Sequence, residues 1–206
     1  MQGVKEIDYD YWRRAGSLLR TGPKGVSTEF CILGLLMLRP MTIYELSKAF
    51  KSTLGLFYSA SLGSLQVAVR NLRAKGFISM EESLLGKRTR KVYTILENGR
   101  QAFFGEMIGA IPETRLEVIS LARLHFLGLL PVEMRVRVKV MIVDAIEASL
   151  AGLLAKRDEL AQLRIPREYR TIFHFQVQTL EYGIMSHAAA LSWFNEIEID
   201  GSGEQT

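Results

Sequence analysis

The chain has 206 residues, 48% of them hydrophobic and 23% charged, the balance of a globular protein that can bury a core. Its formal net charge is +4, so the place of the excess matters more than its size. The single cysteine, Cys31, excludes an intramolecular disulfide and fits a reducing compartment. No apolar run approaches the ~20 residues needed to span a bilayer. Glu6, Asp8, Tyr9 and Asp10 stand among the first ten residues, unlike a secretory signal, so a cytoplasmic location and no membrane partner are expected.

Residues 1–27 divide into a short helix over 8–20, with Trp12, Ala15 and Leu19 on one side, and a turn-rich linker, Thr21-Gly22-Pro23-Lys24-Gly25. Ser27 or Thr28 can cap the next helix. Phe30, Ile32, Leu33, Leu35, Leu36 and Leu38 make it apolar nearly all round, the pattern of a core helix. Arg39-Pro40 ends it. Thr42 can cap a second helix with Ile43, Leu46, Ala49 and Phe50 inward, and residues 54–60 form an irregular connection. A third helix opens at Ser61, with Leu62, Leu65, Val69 and Leu72 in one stripe of helical period. Its other face carries Gln66, Arg70 and Arg73. Gly76 can take the left-handed conformation that stops it. Two β-type runs follow, 77–82 and 90–95, joined by a polar, basic turn over 83–89, and then a helix from about Asn98 through Ile108. Between Arg70 and Arg100 eight basic residues face three acidic ones, a local excess larger than that of the whole chain. Helix, glycine stop and basic hairpin together point to a winged helix-turn-helix and an anionic partner.

Ile111-Pro112 marks the expected domain boundary, and beyond it there is no strand signal. Residues 114–127 read as helix. A long helix from Leu130-Pro131 towards Arg164 has an apolar seam of Val136, Val140, Val143, Ile146, Leu150 and Leu153. After Ile165-Pro166 a last helix, 169–195, has Phe173, Val177, Leu180, Ile184, His187, Leu191 and Phe194 alternating at steps of four and three, a heptad-like seam. Two such helices cannot bury both faces against one another, and a second copy of the chain is the economical solution. The dimerisation residues expected are Val143, Ile146, Leu150, Leu153, Leu180, Ile184 and Leu191. The fold expected is mainly α with a small β-wing: a winged helix-turn-helix over 28–110, a helical dimerisation domain over 111–200 and a disordered tail over 201–206.

The ordered set Ile32-Leu33-Gly34-Leu35-Leu36, Pro40, Tyr44-Glu45-Leu46, Gly63-Ser64-Leu65, Leu72, Gly76-Phe77-Ile78, Arg90-Lys91-Val92-Tyr93-Thr94-Ile95 and Gly99 resembles the PadR family of transcriptional regulators. The helical second half resembles, by architecture only, the family's longer, virulence-activator-like form. The resemblance implies a homodimeric, sequence-specific binder of double-stranded DNA, more often a repressor, on a palindromic operator. It also implies that a small hydrophobic or phenolic effector can release it. Three positions depart from the family pattern: Ile43 for glycine, Gln66 for tyrosine and Leu96 for threonine. Gln66 bears on which operator is read, because glutamine can bond adenine N6 and N7 together.

On this reading Gln66 and Arg70 face base edges, with Arg73 on the same exposed face. Tyr44, Lys48, Ser61 and Ser64 meet phosphates, and Lys87, Arg88 and Arg90 belong to the wing. Phosphate contacts set register and affinity, base contacts set sequence preference. The plain alternative for the charges is a solvated face. The aromatics Trp12, Trp193, Phe173, Phe175 and Phe194 fit packing better than an effector pocket. The separated histidines His125, His174 and His187 have no zinc-like spacing, and Cys31 reads as a small buried apolar residue. No metal, cofactor or enzymatic activity is expected, since no P-loop, Gly-x-Gly-x-x-Gly, Gly-x-Ser-x-Gly or His-Glu-x-x-His occurs. The competing reading is a winged-helix protein-interaction module without specific DNA binding.

Overall fold

The computed structural model describes residues 27–85 and 88–200, and at 83–85 and 88–89 the backbone alone. The expected N-terminal helix and the polar tail lie outside the described residues. The chain divides into two compact units, one ending at Leu130 and the other starting at Pro131.

In the first unit α1 (Thr28–Leu38) is the centre. Ser27 caps it by accepting the Phe30 amide at 3.0 Å, and every residue from Phe30 to Leu36 is buried. Leu38 is the exception to the expected inward set, at 60% exposure. A two-residue strand, β1 (Met41–Thr42), leads into α2 (Ile43–Ala49). That helix does not stop at Phe50 but continues as a π-helical turn, Phe50–Leu54, which buries both end residues. The Ser52 and Thr53 hydroxyls donate to the Ala49 carbonyl and satisfy it where the regular ladder is interrupted. Then come α3 (Leu62–Ala74), β2 (Ile78–Leu85), β3 (Arg88–Ile95) and α4 (Glu97–Ile108). α4 starts without a side-chain cap at Leu96, as a leucine there requires.

The three strands form one antiparallel sheet in the order β1-β3-β2, with Met41 opposite Tyr93 and Thr42 opposite Val92. β1 was not expected, since two residues before a helix cap carry no alternating pattern. The hairpin strands are also longer than the sequence suggests. Pairing reaches Leu85↔Arg88, so residues read as a polar turn are paired in the ladder.

The segment after Pro112 belongs to the first unit, contrary to a boundary at 110/111. α5 (Leu116–His125) ends in Phe126, whose ring packs edge-on against Phe30 and Phe103, each with centroids 5.8 Å away. Gly34 makes room for it: a Cβ there would lie 2.5 Å from the ring. Arg123, 3% exposed, donates to the Gly109 carbonyl at 2.7 Å. Burial pushes its pKa down to about 10, against the opposing pull of Glu106.

The second unit is an antiparallel pair, α6 (Val132–Ala161) and α7 (Arg170–Glu196). The start of α6 meets the end of α7, where Lys139 donates to the carbonyls of Asn195 and Ile197 at 2.8 and 2.9 Å. Ser149 bonds His187 Nε2 at 3.2 Å, and the other ring nitrogen donates to the Gly183 carbonyl at 2.8 Å. His187 is thus a hydrogen-bonded structural histidine.

The seam expected on α6 is rotated. The buried residues are Met134, Val138, Ile142, Ile146 and Ser149, while Val136 and Val140 are about half exposed, at 46% and 50%. Ile146 is therefore buried within the chain itself and not free for a partner. Val143, Leu150, Leu153, Leu180, Ile184 and Leu191 are half-buried. The outward apolar residues of α7 are a different set: Ile172, Phe175, Tyr182, Met185 and Trp193. A period of 3.6 on a helix that is apolar on two sides does not tell which side faces the neighbour.

Candidate nucleic-acid interface

The interface is built on α3. Ser61 lies just before it in extended conformation and accepts the Ser64 amide at 3.1 Å, while the Ser64 hydroxyl donates back to the Ser61 carbonyl at 2.8 Å. Leu65, Ala68, Val69 and Leu72 are buried. Leu62, read as the first residue of the stripe, is 51% exposed, because the helix begins there and its first turn stands clear of the core. Gln66, Arg70 and Arg73 are all exposed, four and three residues apart on the opposite face.

The end of the helix is fixed by a Schellman motif. Gly76, at φ 68°, donates to the Arg73 carbonyl at 3.0 Å, and Phe77 donates to the Leu72 carbonyl at 2.9 Å. The chain thereby turns directly into β2. Glu29, in the first turn of α1, accepts from Asn71 at 3.2 Å and pairs with Lys75, which ties the end of α3 to the core helix. That tie carries no sequence signal, since a glutamate in a first turn has an adequate local explanation in the helix dipole.

Tyr44 is 76% exposed, and with Ser47, Lys48, Lys51 and Ser52 it lines a shallow depression of about 320 Å3 on α2 and its π turn. Lys48 is exposed, and Lys51 adds a second exposed cation outside the expected set. Lys87 lies outside the described residues, as does the side chain of Arg88. Arg90 is described, and its Nη2 donates to Glu45 Oε2 at 2.9 Å. The same carboxylate accepts the Thr42 amide at 2.8 Å, the Thr42 hydroxyl at 2.7 Å and Arg39 Nη1 at 3.2 Å. Thr42 and Glu45 form a capping box, which Thr-x-x-Glu before an apolar run already spells in the sequence. The Thr42 amide and hydroxyl bonds, opposed by burial and helped by the weaker pull of Arg90 and Arg39, hold the Glu45 pKa down to about 2.

A helix-turn-helix whose second helix ends in a tight glycine turn into a two-stranded hairpin, with a third short strand from the chain before α2, is a winged helix-turn-helix domain. Residues 32–104 match the Transcriptional regulator PadR-like family. The chain is similar to the negative transcriptional regulator PadR of Bacillus subtilis, at 33% identity over 89 residues, 42% of this chain. That match spans about half, 49%, of the relative's length. Among solved structures, B. subtilis PadR in complex with operator DNA is 22% identical and covers 81% of this chain and 95% of that one, with a TM-score of 0.40. A PadR-like transcriptional regulator from Bacillus cereus is 22% identical and covers 85% and 96%, with a TM-score of 0.39. Among the described residues no helix is long and apolar enough to cross a membrane, and no group of three or more His, Cys, Asp or Glu could hold a metal ion.

Proposed function

We propose that this protein is a cytoplasmic, non-enzymatic regulator of transcription that binds double-stranded DNA sequence-specifically, as a homodimeric repressor on a palindromic operator. The observation that carries the reading is the division of α3: Leu65, Ala68, Val69 and Leu72 bury one face while Gln66, Arg70 and Arg73 stand free on the other. A helix that offers an amide and two guanidinium groups to solvent beside a hairpin has the chemistry to enter a major groove. The similarity to a negative transcriptional regulator over 89 residues supports it.

In this arrangement Gln66 and Arg70 meet base edges, and Arg73, Tyr44, Lys48, Ser61 and Ser64 meet the flanking backbone. Lys87 and Arg88 extend the contact along the wing. Ser61 does so as the helix cap, with its hydroxyl already bonded to the Ser64 amide. A second copy brings a second α3 about 34 Å away, one helical turn of duplex. The outward apolar residues of α7 favour that second copy. A small hydrophobic or phenolic effector acts by preferring a dimer with a different helix separation, and can shift the population only by its difference in affinity between the two states.

The test is fluorescence anisotropy with a duplex selected by the full chain from a random-sequence pool, against a scrambled duplex of equal length. Arg70→Ala is expected to weaken the selected duplex by about ten- to a hundred-fold, the range of ~1–3 kcal/mol for a base contact, and to relax preference at one or two base pairs. If Arg70→Ala and Arg88→Ala leave affinity and its salt dependence unchanged, or if the pool yields no binder at low salt, the winged unit serves another purpose.

A further inference from the structure

Arg90 stands at a particular point of the wing. β1 covers β3 only at Val92 and Tyr93 and then turns off into α2. Two residues further along β3, towards the hairpin tip, β3 has lost this third strand. There Arg90 meets Glu45, which lies in the first turn of the helix that β1 became. Among the described side chains this pair is the tie nearest the wing tip between the hairpin and the helix-turn-helix.

A single exposed ion pair contributes little, because holding two long side chains in one geometry costs entropy. Here the carboxylate is already immobile. Oε2 takes the Thr42 amide and hydroxyl in addition to Arg90, and Oε1 takes Arg39. Its side chain is 26% exposed against 44% for Arg90. Only the arginine has freedom to lose. The hairpin itself is one continuous antiparallel ladder from Ile78↔Ile95 to Leu85↔Arg88, so a tie at Arg90 is transmitted along it as a lever.

We infer that Glu45 and Arg90 form a clamp that sets the angle of the wing against the helix-turn-helix, and that Arg90 serves DNA binding as a positioning residue rather than as a phosphate contact. The inference rests on the DNA-binding reading for its effect on affinity, but the clamp itself is independent of it. Arg90 carries a charge that a simple count of wing cations assigns to DNA, yet its guanidinium is held by an acid whose bonds to Thr42 keep it in place. Glu45 is negative and sits beside Tyr44 and Lys48, so on charge alone its removal favours any polyanion. The clamp makes the opposite prediction for the specific site.

Glu45→Gln keeps the shape and an acceptor for the Thr42 amide while removing the charge. It is expected to weaken the pool-selected duplex about ten-fold and to leave the scrambled duplex as tight or tighter. Arg90→Gln is expected to weaken the selected duplex by a similar factor with an unchanged slope of log K against log salt. A lost phosphate contact lowers that slope by ~0.9. Amide hydrogen exchange in the free protein supplies the arm that needs no DNA, with faster exchange expected at Thr42 and Val92 in both variants. Equal tightening of both duplexes by Glu45→Gln, or a slope lowered by one contact in Arg90→Gln, overturns the positioning role. Unchanged exchange overturns the clamp whether or not any duplex binds. No selected duplex together with faster exchange leaves the clamp standing and removes the DNA-binding reading instead.

Discussion

The winged unit and the helical pair deal with apolar side chains in different ways. In the first, α1 is enclosed along its length, and Phe30, Phe103 and Phe126 meet around it, Phe30 stacked on Phe103 at 5.3 Å. In the second, α7 has only Phe194 buried, while Phe175, Tyr182 and Met185 are each more than 60% exposed. One unit closes its own core. The other exposes apolar side chains along a helix of 27 residues, more than a lone hairpin in water accounts for. The difference points to the long helices, not the winged domain, as the surface on which the proposed second copy would pack. That in turn leaves α3 free for another partner.

The largest expected effect breaks the enclosed side of the comparison. Phe103, fully buried between Phe30, Phe104 and Phe126, loses its whole ring in Phe103→Ala. The cost expected is ~3–5 kcal/mol, read as an earlier urea transition in near-ultraviolet circular dichroism. A cost below ~1 kcal/mol would mean that the aromatic cluster does not hold the unit together.

The second prediction sharpens the exposed side. Phe175→Glu with Tyr182→Glu places two charges on the outward face of α7 and removes no buried contact. Sedimentation velocity is expected to show a dimer for the natural chain and a monomer for the variant, with the helical circular dichroism little changed. A variant that remains a dimer puts the interface elsewhere on the two helices.

The smallest effect concerns how the winged unit is closed by charge as well as by rings. Glu45 is held at about 2 in the folded chain against an ordinary 4.5, so the folded state releases this proton more readily than the unfolded one. Its contribution to stability is therefore complete above about 4.5 and is lost as the pH falls towards 2. In Glu45→Gln, thermal unfolding followed between pH 6 and pH 2.5 is expected to show a shallower acid limb than the natural chain. Parallel limbs would show that the carboxylate gains nothing from Thr42, Arg90 and Arg39.

Local chemistry was legible from the residues alone. The Ser61 cap, the glycine stop at Gly76 and the exposed Gln66-Arg70-Arg73 face all lie within sixteen residues of one another and follow from helix period and backbone freedom. The end of α1 before Pro40 and the two long helices of the second unit follow from the same rules. Tertiary packing decided the rest. Arg90 and Glu45 are 45 residues apart, and Lys75 and Glu29 46 apart, so no spacing rule connects them. β1 is a strand only because β3 lies beside it. Phe126 draws α5 into the first unit through a gap left by Gly34, which moves the boundary to Leu130. On α6 both Val136 and Val138 suit an apolar stripe, yet one is 46% exposed and the other fully buried. The sequence determined which helices exist and which chemistry the α3 surface carries, because those depend on neighbours along the chain. Which face turns inward, and which charge is already held, depends on neighbours across space, and only the folded chain supplies them.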